Sequence, residues 1–207
     1  MVEPPEIRTR DPRGRTPRIV NDRLSALGRV NALLVAPDAT RPELALGYGA
    51  ALIGAAAAAA GGLVSGYGAA HVLVLAVLGF DIAGGVVVNA TRAAARRFHH
   101  GPHWRRRSVL FVAAHVHPFV VAVLFPAQTW WASAVLYLGL VVSALLITSA
   151  PLSLRRPVAF ACAAALITWT VVTAPTEDAL AWIAPLLVIK LLLAHLLTDS
   201  TQTPEAT

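Results

Sequence analysis

Asp81 lies within Gly68 to Ala90, a stretch otherwise apolar or small and long enough to cross a bilayer. A carboxylate at the centre of a membrane helix costs about 2.5 to 3.5 kcal/mol to insert, so its presence points to a function. His115, His117 and Lys190 occupy other apolar stretches. Counting from the polar joint nearest each, at 1.5 Å per residue, places all four roughly 10 to 14 Å inside the same boundary. His195 lies closer to that boundary, and Asn89 closer still. Three chemistries suit such a layer. Asp81, His115, His117 and His195 are candidate ligands for zinc, which makes a bound water nucleophilic near neutral pH. Asp81 and Lys190 are alternatively an ion pair with histidines hydrogen-bonded around it. The third reading is a proton relay, in which carboxylate and imidazole carry protons through the apolar region. Lys190 weighs against a metal, because an ammonium repels it. Asp81 and Lys190 are the catalytic candidates if the layer belongs to an enzyme. His115 and His117 are two residues apart, so a regular helix points them about 160° from each other. Pro118 follows directly and weakens the turn before it.

The elements that hold this layer follow from composition. The chain has 207 residues, 57% hydrophobic and 14% charged, and its long Ala, Leu and Val runs are separated by short polar joints. That is the profile of an all-α membrane protein. Segments that meet or approach the length of a span are Leu44 to Val64, Gly68 to Ala90, Ser108 to Phe125, Trp130 to Thr148, Val158 to Val172 and Ala179 to Leu197. The expectation is a six-helix transmembrane bundle over 44–197. Residues 1–17, rich in Pro and Arg, read as a disordered tail, and 198–207 as a second polar tail. Between Arg18 and Ala36, apolar residues recur near helical spacing opposite Asp22, Arg23 and Arg29. This predicts a short amphipathic interfacial helix on anionic headgroups. Thr40 and Glu43 have the spacing of a capping box before the first span. Gly54, Ala58 and Gly62 are four apart, and Gly84 and Gly85 share the Asp81 side of their helix. Small residues so placed let helices approach closely.

The formal charge of +6 does not imply nucleic acid, because the arginines are grouped by joint. They precede the first span, lie between the second and third, and lie between the fourth and fifth. The positive-inside rule then places both termini in the cytoplasm. Trp130, Trp131, Trp169 and Trp182 fall near the opposite boundary and Trp104 near the arginine-rich one, as interfacial aromatics do. Sixteen arginines against a single lysine, with abundant alanine, suit a GC-rich bacterial source. A bacterial cytoplasmic membrane is the expected location. No early apolar stretch precedes a small-residue cleavage site, so no removed signal peptide is expected. Cys162 is the sole cysteine, which leaves no intramolecular disulfide or cysteine-based metal site.

The joint after the second span reads Arg92, Arg96, Arg97, His99, His100 and His103, ending at Trp104. Guanidinium forks suit phosphate oxygens, so Arg92, Arg96, Arg97, His99 and His100 are candidate ligands for an anionic lipid headgroup. The HHxxH order resembles the histidine clusters of membrane di-iron oxygenases, which use several separated boxes. The mixed Asp and His set is similar to that of seven-span zinc-dependent membrane hydrolases. A lysine in the last span opposite an aspartate is similar to the arrangement in retinal proteins. The last two families have one span more, and no assignment follows from any of the three. The expected partners are membrane lipids, with an anionic or lipid substrate, and the sequence carries no signal for oligomeric state. Two functions therefore stand from the sequence, a zinc-dependent hydrolase or transferase acting on a lipid and a proton-coupled transporter using Asp81. A third is an accessory membrane protein ordered by an Asp81–Lys190 pair.

Overall fold

The computed structural model describes residues 39–99, 103–173 and 177–197, with 96–99 described by backbone alone. The interfacial helix expected over 18–36 and the tails at 1–17 and 198–207 lie outside the described residues. The described residues are helical, without strands.

Helix α1 (Arg41–Val64) begins as its sequence predicts. The Glu43 amide donates to Thr40 Oγ1 at 3.4 Å, and the Thr40 amide donates to Glu43 Oε2 at 2.8 Å. These bonds satisfy amides that a helix start leaves without partners. The chain then reverses through Gly66, whose φ of 76° is one that glycine adopts without strain. Helix α2 (Ala69–Asn89) returns against α1 along a seam of small residues. A Cβ on Gly84 would sit 2.7 Å from Ala51 Cβ, and one on Gly62 would sit 2.8 Å from Leu75 Cδ1. Gly54 and Gly79 likewise meet backbone to backbone. The seam is helix packing, the ordinary use of small residues in a membrane.

Thr91 then caps helix α3 (Arg92–His99), with Ala94 N donating to Thr91 Oγ1 at 3.2 Å. Helices α4 (Trp104–Ala113) and α5 (His117–Leu124) are two halves of one apolar rod interrupted at 114–116. Helices α6 (Trp130–Ser149) and α7 (Leu152–Thr173) follow. Last comes α8 (Ile183–Val188), which runs on as a π-helical segment, Ile189–Ala194.

Five helical rods are long and apolar enough to span a membrane: α1, α2, α4 with α5, α6, and α7. The sixth apolar segment, expected over Ala179 to Leu197, is a shorter helix. Its start is delayed to Ile183 because Glu177 to Trp182 forms turns, with Leu180 N donating to Glu177 O at 2.8 Å. Pro185 has no N–H and a fixed φ, which suits the opening of a helix and not its interior.

The two ends of the bundle differ in chemistry. Arg155 lies over the Trp104 ring, so α4 and α7 start at one end, together with Arg41 and Arg92. At the opposite end Tyr67 bonds Glu177 and packs edge-on against Phe125 at 5.3 Å. The Trp131–Trp169 pair lies at that end too, with ring centroids 5.9 Å apart. One apolar core cluster fills the arginine side, around Leu140, Ala144, Leu187 and Leu191. A second, built on Leu75, Leu78, Ile82, Val121, Phe125 and Ile183, fills the side facing Tyr67. Leu46, Leu52 and Ile53 of α1 face outward, as lipid-contacting side chains do.

Candidate functional site

Asp81 Oδ2 lies 2.6 Å from Lys190 Nζ and 3.0 Å from His117 Nε2. The same ammonium donates to the Asp81 backbone carbonyl at 3.2 Å. Three helical rods thus converge on one carboxylate. Lys190 keeps only 3% of its side-chain surface exposed, whereas Asp81 keeps 48%. The buried cation is therefore held by a carboxylate that still has an open face.

Each contact has a local cause. Lys190 reaches Asp81 across Gly85, where an added Cβ would sit 2.9 Å from Nζ and 3.0 Å from Cδ. The two glycines that share the Asp81 side thus do different things. Gly84 admits α1, and Gly85 makes room for the lysine stem. Lys190 itself lies in the π segment, where the His195 amide bonds the Lys190 carbonyl at 3.1 Å, five residues back. The wider turn changes helical phase, and such segments frequently accompany functional sites.

The break between α4 and α5 explains the histidines. Pro118 has no N–H to donate, and α5 restarts with it in its first turn. Carbonyls at the end of α4 are consequently released from the helical ladder. Tyr137 of α6 donates its hydroxyl to Ala113 O at 2.8 Å. His115 Nδ1 bonds Phe111 O at 2.7 Å, and since a carbonyl only accepts, that nitrogen carries a proton. With the rod broken, the rings of His115 and His117 are no longer opposed. They stack with centroids 5.3 Å apart and planes at 28°.

Of the candidate residues, Asp81, Lys190 and His117 meet directly, and His115 adjoins His117. His195 is 2% exposed and stacks on Phe111, with ring centroids 4.0 Å apart. The four groups expected as zinc ligands are thus strung out. No three His, Cys, Asp or Glu side chains among the described residues are grouped to hold a metal ion. The carboxylate oxygen nearest His117 is also the one bound by the ammonium. As arranged, these residues do not fit a three-ligand zinc centre. Arg92 opens α3 with its side chain exposed, Arg96, Arg97 and His99 continue that helix, and His100 lies outside the described residues.

Phe111 and Tyr137 were not singled out by sequence reasoning as parts of this site. Phe111 offers both a ring and a carbonyl to the histidines, and no residue-type signal announces that. For Tyr137 the signal was present, because a helix broken at Pro118 must release carbonyls that need donors.

No protein-family model, curated protein or solved structure matches this chain. Fold and site together define its class as a multi-pass α-helical membrane protein with a carboxylate, an ammonium and an imidazole joined inside the bundle.

Proposed function

We propose that this is a proton-coupled membrane transporter in which Asp81 is the proton-exchange site. The carrying observation is the shared oxygen: Asp81 Oδ2 is bound by buried Lys190 and by His117, while the carboxylate keeps an open face. A carboxylate facing a buried ammonium resists protonation unless the ammonium is compensated in another way. Proton arrival at Asp81 is thereby coupled to release of Lys190 or to the entry of a charged group on the open side. His117 supplies the proton. Its Nε2–H points at Oδ2, and its Nδ1 is buried with no protein partner among the described residues. A proton taken at Nδ1 lets Nε2 pass its own proton to Oδ2. His117 is left neutral, with the proton on Nδ1.

Access is from the arginine end. On that side of Asp81 lie His115, His195, Asn89 and Ser108, and the buried Asn89 Nδ2 and Ser108 Oγ have no hydrogen-bond partner among the described residues. Buried polar groups of this kind are ordinarily satisfied by water. On the other side the Leu75, Leu78, Val121 and Phe125 cluster is apolar throughout. In this reading the short sixth helix completes a six-span bundle in a bacterial cytoplasmic membrane. The arginine end and both termini face the cytoplasm, as the positive-inside rule requires. Proton flux into proteoliposomes tests the proposal. Flux should vanish in Asp81→Asn and fall in His117→Gln, and undiminished flux in Asp81→Asn would refute it.

A zinc-dependent hydrolase or transferase acting on an anionic lipid is the second reading, and it requires the side chains around Asp81 to regroup, because the described residues, as arranged, form no three-ligand centre. It places the headgroup on Arg92, Arg96, Arg97, His99 and His100. It also requires His115 to leave Phe111 O. Equimolar zinc in the purified protein, lost in Asp81→Ala, would establish it over the relay. If Asp81→Asn keeps flux and zinc is absent, the pair serves only to order the bundle of an accessory protein.

A further inference from the structure

At the arginine end, away from Asp81, Arg155 lies 4.8 Å and Arg105 lies 5.6 Å from the centroid of the Trp104 ring. Two guanidinium groups therefore share one indole, and their charges repel one another. Arg105 is in the first turn of α4, and Arg155 follows the first turn of α7. Helix starts carry partial positive charge, so Arg105 stands where its helix disfavours a cation. Arg155 Nε is in addition buried without a hydrogen-bond acceptor among the described residues. The described acids are engaged elsewhere. Glu43 closes its own capping box, Asp81 holds Lys190, and Glu177 and Asp178 are at the opposite end.

We propose that Arg105, Trp104 and Arg155 form a binding site for the phosphodiester group of an anionic phospholipid. A guanidinium stacked on an indole keeps its N–H edge free, and paired forks fit phosphate oxygens. One phosphodiester supplies the acceptor that Arg155 Nε lacks, and its single negative charge placed between the two guanidinium groups relieves their repulsion. The surroundings favour a lipid over free phosphate. Trp104 belongs to the interfacial aromatics, at headgroup level. Deeper along α7 than Arg155, Phe160 faces outward at 50% exposure, where an acyl chain would lie.

The test is native mass spectrometry of the purified full chain, titrated with phosphatidylglycerol or with phosphatidylcholine of the same acyl composition. One phosphatidylglycerol should bind about tenfold tighter than phosphatidylcholine, because both carry the phosphodiester and only phosphatidylcholine brings a quaternary ammonium against the two guanidinium groups. Arg105→Gln with Arg155→Gln should abolish that preference, and Arg155→Lys should keep part of it. Arg41→Gln with Arg106→Gln removes the same charge from the same end and should leave the preference intact. An equal loss in both double variants would mean diffuse charge and would overturn the site. Should the first double variant not fold, Trp104→Phe tests the same platform, and an unchanged preference there is also refuting. Inorganic phosphate that merely competes with phosphatidylglycerol supports the assigned chemistry. Phosphate that binds as tightly as the lipid overturns the choice of ligand.

Discussion

At the residue scale the site depends on one absent methyl group. Gly85 leaves the space through which Lys190 reaches Asp81. Gly85→Ala should displace the ammonium, destabilise the protein by roughly 1 to 3 kcal/mol as overpacking does, and reduce proton flux. Thermal unfolding in detergent and the liposome assay read the two effects separately. Breaking a buried pair typically costs about 3 to 5 kcal/mol, because one charge is left without its partner. The half-open face of Asp81 calls for a discount, so Asp81→Asn should cost roughly 2 kcal/mol. Adding Lys190→Met should recover much of that loss without restoring flux. Stability regained together with flux would show that neither charge moves the proton.

At the element scale the broken rod, α4 with α5, sets the histidines. Tyr137 holds the break by bonding Ala113 O, so Tyr137→Phe leaves a carbonyl without its donor and should cost about 1 to 3 kcal/mol. Pro118→Ala supplies the missing N–H and should let the rod close. The His115 and His117 rings would then turn away from each other, and flux should fall even if unfolding shifts to higher temperature. Much of this arrangement was legible in the sequence. Counting from the arginine joints puts Asp81, His117 and Lys190 in one layer, and the structure joins them by direct contacts. Spacing also indicates the small-residue seam, and Pro118 marks the weakened turn. The π turn at Lys190 and the late start of α8 were not legible. Both depend on which backbone bonds the surrounding helices allow, and hydropathy does not carry that information.

For the whole molecule, the contrast between the two ends matters most. The end opposite the arginines is tied by Tyr67, which donates to Glu177 and stacks on His71 with ring centroids 5.7 Å apart. Burial, with the Glu177 carboxylate beside it, pushes the Tyr67 phenol up from 10.0 to about 12. The folded protein therefore holds this proton where the unfolded chain has lost it. The contribution is complete below pH 10 and is lost as pH rises through about 12. In an alkaline ultraviolet titration Tyr67→Phe should remove a late-ionising group, and Glu177→Gln should bring that group part of the way back. A late-ionising amplitude left undiminished by Tyr67→Phe would refute the assignment.

The last apolar element has a consequence for the bilayer. Six α-helical and six π-helical residues, at about 1.5 Å each, reach only ~18 Å, while a typical hydrocarbon core is about 30 Å thick. Lys190 rides on this short element, whereas its partner Asp81 belongs to a helix of full length. Thickening the membrane would strain the shorter member first, by hydrophobic mismatch, and pull the two charges out of register. Proton flux should therefore be greater in liposomes of short-chain lipids than in long-chain ones, which would make membrane thickness itself a control on the site.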